Sequence, residues 1–104
     1  MIGVAYTSNA QTKVVETVSE HGWERVFTIE NYTLIKLDYK TNEGWKTSFY
    51  EVVPLAVGGM FDRYRITHGA DTTRTDPTIL FDWGSNKVIL QGTTRHYIRN
   101  IKNK

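Results

Sequence analysis

Residues 32–53 read YTLIKLDYK (32–40), TNEG (41–44) and WKTSFYEVV (45–53). In the first run Ile35, Leu37 and Tyr39 alternate with charged residues, which is the period of a strand that has one face in water. The segment TNEG has the length and the glycine of a hairpin loop. This stretch therefore predicts two antiparallel strands joined by a tight turn.

Short apolar runs of the same kind, rich in aromatic and β-branched residues, recur along the chain about every ten residues. The others are residues 23–30, 61–67, 78–83 and 87–91. We expect Pro54 to end the strand before it, because proline cannot donate a hydrogen bond to a sheet. Gly84-Ser85-Asn86 predicts a second hairpin, and the polar residues 68–77 predict a long loop.

The two ends of the chain are harder to assign. Residues 1–7 predict a first strand, and Ser8 to Gln11 match a helix capping box. Ala10, Val14, Val15 and Val18 share one helical face, which predicts a helix over about residues 9–21 with Gly22 directly after its end. The β-branched residues of the same segment favour a strand as the alternative. Residues 95–102 fit either a strand or a short helix.

These elements predict an α+β domain that is mainly β. We expect a curved antiparallel sheet or a small barrel of six to eight strands, with one short N-terminal helix. At 104 residues the chain has the size of a single domain, spanning residues 1–104. A barrel, or a sheet covered by the helix, would hide the strand edges that so many short strands create.

Composition excludes several classes of function. The chain has no cysteine, so it can form neither disulfides nor thiolate sites. It lacks an apolar run of the roughly 20 residues that span a bilayer, and its start lacks the pattern of a signal peptide. We therefore expect a cytoplasmic protein that does not bind membranes. No motif indicates a cofactor.

The net charge of +2 is unevenly distributed along the sequence. Residues 1–52 contain 5 Lys or Arg and 7 Asp or Glu, a balance of −2, whereas residues 53–104 contain 8 and 4, a balance of +4. A basic second half can create a local positive surface on a protein whose overall charge is modest.

The basic residues of the second half are interleaved with aromatic ones, as in proteins that hold single-stranded nucleic acid by phosphate contacts and base stacking. Arg63 and Arg65 share a strand face with Phe61. The candidate binding residues are Arg63, Tyr64, Arg65, His68, Arg74, Trp83, Arg95, Tyr97 and Arg99. The alternative is an ordinary solvated sheet face with charges that serve solubility.

A protein-binding role fits the same composition. Tyr, Trp and Arg are favoured at the centres of protein interfaces, and several aromatic residues compete for one small core. We expect a small non-enzymatic binding module, such as an inhibitor, an adaptor or an assembly subunit, that binds a protein partner or a second copy of itself. Nucleic-acid binding by a small β-barrel is the alternative. The modest net charge favours the protein partner.

Enzymatic function has weaker support, and we assign no catalytic residue. Among enzymes a small nuclease is the least disfavoured, since its general acid, base and phosphate-binding groups could come from Glu51, Arg63, Arg65, His68 and His96. Nothing in their spacing requires that they converge. His68, Asp71 and Asp76 lie in one loop but match no metal-binding pattern, so we expect no metal site.

Overall fold

The computed structural model describes residues 11–104, which form eight β-strands. They are β1 (Thr12–Ser19), β2 (Glu24–Glu30), β3 (Leu34–Thr41), β4 (Gly44–Ala56), β5 (Phe61–His68), β6 (Thr78–Asp82), β7 (Lys87–Leu90) and β8 (Thr94–Asn103). Within these residues we find no helix that could cross a membrane.

The strands form a closed antiparallel barrel in which each strand pairs with the next one along the chain. The barrel closes where β8 pairs with β1, from Lys13 opposite Asn103 to Ser19 opposite His96, with a bulge beside Glu16 and Thr17. Every strand of residues 11–104 therefore has a neighbour on both sides. Closure removes the strand edges that would otherwise pair with other chains, and the prediction of a mainly β barrel is confirmed.

The prediction of an N-terminal helix over about residues 9–21 is wrong for the part that the structure describes, because residues 12–19 form strand β1. The β-branched side chains of this segment suit a strand that is paired on both sides, and these long-range pairs outweigh the local helical periodicity. The strand predicted at residues 1–7 and the start of the capping box lie outside the described residues. Residues 95–102, for which strand and helix were both open, belong to β8.

Alternate residues of each strand point into the barrel and fill it. Phe27, Ile35, Leu37 and Ile79 are among the buried residues, as the alternation in the sequence predicts for Ile35 and Leu37. Phe27 packs edge-on against Phe81, with ring centroids 5.7 Å apart and planes at 87°. An eight-stranded barrel is just wide enough for its own side chains, so the interior is a packed core.

Both predicted hairpins are present, but Pro54 does not end its strand. β4 continues to Ala56, whereas its pairing with β3 ends at Glu51. The backbone nitrogen of Val52 donates to Thr33 on the β3 side, and the nitrogen of Pro54, two residues later, points to that same side. Proline is tolerated in β4 because its missing N–H would face the side where β3 has already ended.

The long loop between β5 and β6 is fastened to the top of the barrel, the end that carries the β1–β2, β3–β4, β5–β6 and β7–β8 turns. The buried Gln91 amide donates to the carbonyl of Asp71 at 3.1 Å and accepts from the N–H of Asp71 at 2.9 Å. The Arg74 guanidinium bonds the hydroxyls of Thr93 and Thr94 and pairs with Asp71. These contacts hold the loop against the β7–β8 turn.

We expect Gln91→Leu to release this loop. The change removes both bonds to the backbone of Asp71 and leaves its N–H without a partner among residues 11–104, while its carbonyl keeps the bond from the N–H of Arg74. The loss of such hydrogen bonds costs about 1–3 kcal/mol. Limited proteolysis should then cut within residues 69–77 faster than in the parent protein. Equal cleavage rates would show that Gln91 does not hold the loop.

Candidate binding surfaces on the barrel wall

The filled interior places any binding surface on the outside of the barrel. A cavity of about 20 Å³ beside Asp62 and Tyr64 is room for little more than one water molecule. Tyr64 and His96 are buried, and neither the Tyr64 hydroxyl nor the ring nitrogens of His96 have a hydrogen-bond partner among the described residues. Burial, with the Arg25 guanidinium nearby, lowers the pKa of His96 to about 4.

The uneven charge of the sequence becomes a difference between two sides of the barrel. Consecutive strands are neighbours, so residues 1–52 supply β1–β3 and most of β4, and residues 53–104 supply β5–β8. The side built from the first half is acidic by sequence and the other side is basic. A potential partner with negative charge is therefore attracted to β5–β8.

The outer face of β5–β8, which we call the basic wall, is ordered in rows by the strand register, and Arg65 opposite Thr78 lies at its upper edge. One row runs from Arg63 through Leu80 and Ile89 to Arg95. The next row contains Phe61, Asp82, Lys87 and Tyr97. Adjacent strands lie about 4.8 Å apart, so the two arginines stand about 14 Å apart along the wall, on either side of a half-buried apolar floor.

The basic groups of this wall carry uncompensated charge. Arg63, Arg65, Lys87 and Arg95 make no ion pair within 4.0 Å with any residue in the range 11–104, whereas Lys36 and Lys46 on the opposite side are paired. Two acidic residues lie on or beside the wall. Asp82 stands in the second row between Phe61 and Lys87 and accepts a hydrogen bond from the N–H of Ser85. Asp76, just before β6, accepts hydrogen bonds from Thr78. The wall thus has a net positive charge.

The structure brings together four of the nine residues predicted to bind a ligand. Arg63, Arg65, Arg95 and Tyr97 lie on the basic wall, exposed to solvent. The other five are placed elsewhere. Tyr64 is inside the barrel, His68 and Arg74 are at the top, Trp83 is at the bottom, and Arg99 lies at the β8 bulge beside Glu16.

Two of these five are held by intramolecular contacts. Trp83 stacks on Phe81 with ring centroids 5.4 Å apart, under the ammonium group of Lys13 at 4.6 Å. Arg74 is engaged in the loop contacts described above. Tyr64 is fully buried, so it cannot contact a ligand at the surface. The strand alternation already indicated this, since Tyr64 lies between Arg63 and Arg65 and points the opposite way.

A second surface lies at the bottom of the barrel, at the β4–β5 hairpin, and the sequence analysis did not identify it. Residues 52–61, which we call the apolar arm, read VVPLAVGGMF and contain no charged or polar side chain. Its exposed large side chains are Val53 (43% exposed), Leu55 (51%), Val57 (43%), Met60 (72%) and Phe61 (46%). Such a concentration of exposed apolar side chains is typical of an interaction surface.

The arm is fixed to the barrel at its base. The buried Asp62 carboxylate accepts a hydrogen bond of 2.9 Å from the N–H of Gly58. The carbonyl of Met60 accepts bonds from the N–H groups of Trp83 and Gly84. Leu55 is the extra residue of a bulge, since Pro54 lies opposite Tyr64 and Ala56 opposite Arg63. Bulges re-aim side chains, and here the strand carries its apolar side chains beyond the end of β3.

The residues considered for a nuclease do not form a cleft. Glu51 lies opposite His68 in the β4–β5 ladder, and both are exposed. No hydrogen bond joins their side chains among the bonds found within residues 11–104, and His96 is buried in the core. In the same residues no group of three or more His, Asp or Glu is placed to hold a metal ion.

Comparison with known proteins does not relate this chain to a family. No protein-family model matches the chain, and no match was found among curated proteins or solved structures.

Proposed function

We propose that this chain is a non-enzymatic protein-binding module and that the apolar arm is its contact surface. The supporting observation is the exposure of five large apolar side chains on ten consecutive residues without a charge. Burying such side chains against a partner removes apolar area from water, which stabilises a complex by about 25 cal/mol per Å² before the costs of association.

The occupant that best fits the arm is a second copy of this chain. A two-fold contact places each patch against itself, so a charged patch would face like charge. The apolar arm avoids that repulsion because it has no ionisable side chain on its exposed surface, and the nearby Asp62 is buried. Arg63 and Arg65, opposite Ala56 and Val53, would lie at the rim, where solvent screens their charges.

Recognition should use the side chains of the arm more than its backbone. An extended strand that lacks a neighbour can add a strand from another molecule. Here Pro54 supplies no N–H on the side where β3 has ended. This feature disfavours strand addition and leaves apolar side-chain packing as the mode of contact.

We expect a weak dimer. The arm offers far fewer than the 20–30 residues per partner of a standard interface, so a dissociation constant on the order of 10–100 µM is reasonable. Sedimentation velocity over a concentration series from about 5 µM to about 500 µM brackets that range. The expected result is a rise in weight-average sedimentation coefficient with concentration.

The double variant Leu55→Ser with Met60→Ser should weaken this association at least about tenfold, because loss of two apolar anchors removes more than 1.4 kcal/mol. Phe49→Ser is the matched control. It also removes an exposed apolar residue from β4, but Phe49 lies opposite Lys36 and outside the arm. A protein that stays monomeric over the whole series, or equal effects of both variants, would overturn the assignment of the arm to self-association.

A further inference from the structure

We infer that the basic wall is a binding site for single-stranded nucleic acid. This inference goes beyond the proposed function, since it concerns a different partner and the outer face of β5–β8, which shares only Phe61 with the apolar arm. The site consists of Arg63 and Arg95 on either side of the floor formed by Leu80 and Ile89, with Tyr97 in the adjacent row.

The charges of the wall suit the phosphate backbone of such a ligand. Arg63, Arg65, Lys87 and Arg95 lack ion-pair partners within residues 11–104, so neutralising them does not require an existing contact to break. Phosphates release bound counterions when they meet cations of this kind, and this release supplies most of the sequence-independent affinity. The cations lie on β5, β7 and β8, three of the four adjacent strands of the wall, and therefore form a surface patch.

The apolar and aromatic groups of the wall suit the bases. Tyr97 exposes 44% of its surface and Phe61 exposes 46%. Exposed rings beside cations allow bases to stack while phosphates are neutralised, which is the common arrangement in proteins that bind single strands. Duplex DNA would present its bases only inside its grooves, so the wall favours unpaired bases.

The test uses a fluorescein-labelled single-stranded oligonucleotide of mixed sequence, as DNA and as RNA, in fluorescence anisotropy titrations. With three to four phosphates neutralised, raising salt from about 50 mM to about 200 mM should weaken binding about 20- to 50-fold. Intrinsic tryptophan fluorescence is a poorer readout, since Trp23, Trp45 and Trp83 lie outside the basic wall.

Two double variants distinguish binding at the basic wall from a non-specific effect of the protein's net charge. Arg63→Ala with Arg95→Ala should weaken binding at least about tenfold at low salt, because each removes a phosphate contact. Lys36→Ala with Lys40→Ala removes the same charge from the outer face of β3 and should change the affinity less than about threefold. All four side chains are on the outer surface, so each variant should fold like the parent.

Tyr97 tests the stacking component. Tyr97→Ala should weaken binding several-fold, and Tyr97→Phe should restore it, because a phenyl ring still stacks on a base. A polyglutamate peptide of similar charge is the competing probe. It should bind more weakly than the oligonucleotide, since it carries no bases to stack.

Three results would overturn the inference. These are the absence of binding at low salt up to about 100 µM protein, equal weakening by the two double variants, and polyglutamate binding as tight as that of the oligonucleotide. The last result would assign the wall to an acidic protein surface. None of these outcomes bears on self-association through the apolar arm. Cleavage of the oligonucleotide, lost in His68→Ala, would instead contradict the non-enzymatic proposal.

Discussion

Replacing Phe27 with alanine is expected to lower the free energy of unfolding by about 3–5 kcal/mol, the range for large aromatic side chains removed from a core. The Phe27 side chain is fully buried and lies edge-on to both Phe81 and His96, with the His96 ring centroid 5.2 Å away. A domain of this size is stable by about 5–15 kcal/mol in total, so the variant should lose much of its margin. Urea denaturation followed by circular dichroism measures the loss.

Phe49→Ala is the matched control, because Phe49 lies on the outer face of β4 with 58% of its surface exposed. It should cost less than about 1 kcal/mol. If Phe27→Ala leaves too little folded protein for the measurement, Phe27→Leu gives a smaller loss of the same origin. An equal loss of unfolding free energy in the variants at positions 27 and 49 would contradict the assignment of Phe27 to the inner face and Phe49 to the outer face.

Acidification is expected to destabilise the protein through His96. Its folded-state pKa is about 4, against a reference value of 6.5. The neutral ring is favoured in the barrel because the charged form would be buried, near the Arg25 guanidinium and without a hydrogen-bond partner among residues 11–104. The stability that this group contributes is present above about pH 6.5 and is lost as the pH falls towards about 4. The difference between the two pKa values corresponds to a loss of about 3 kcal/mol in the free energy of unfolding.

The measurement compares urea unfolding at neutral and acidic pH for the parent protein and for His96→Leu. The leucine variant should lose about 3 kcal/mol less on acidification. At neutral pH it should be at least as stable, because the ring nitrogens it removes have no partner among the described residues. Carboxylates such as Glu16, whose pKa is lowered by Lys102, act equally in both proteins. An identical acid response in the two proteins would show that His96 is not the titrating group.

Strand alternation is the part of the fold that the sequence predicted best. The pattern around Ile35 and Leu37 places both side chains on the inner face, and both are buried in the structure. Alternation is a local property of two successive residues, so it can be seen without knowledge of strand partners. The TNEG hairpin is local in the same sense and was predicted correctly.

The features that depend on distant partners could not be predicted in this way. Val14, Val15 and Val18 fit a helical face as well as a strand, and pairing with β2 and β8 decides for the strand. Their partners in β8 lie 79 to 88 residues away along the chain. Pro54 remains in a strand because β3 ends early. Long-range pairing of this kind overrides local propensity.

The candidate surfaces also include residues that local sequence patterns predicted and residues that they did not. The arginines of the basic wall were predicted from composition and strand alternation. Arg74 was predicted with them, but its guanidinium is held by the hydroxyls of Thr93 and Thr94 at the β7–β8 turn, a contact that only the fold creates. The apolar arm was missed because an apolar run normally indicates core. The arm became a candidate surface only when the length of β4 relative to β3 showed that residues 53–61 are exposed.

The most direct test of the apolar arm as a protein-contact surface is a set of amide proton–nitrogen correlation spectra of the assigned protein over the same concentration series. We predict that the amide chemical shifts of Val53–Phe61 and of their neighbours on β5 change with concentration while the others do not. Such changes would both detect the association and locate the contact at the arm. Spectra that do not change with concentration, or changes centred on β1 and β2, would contradict the account.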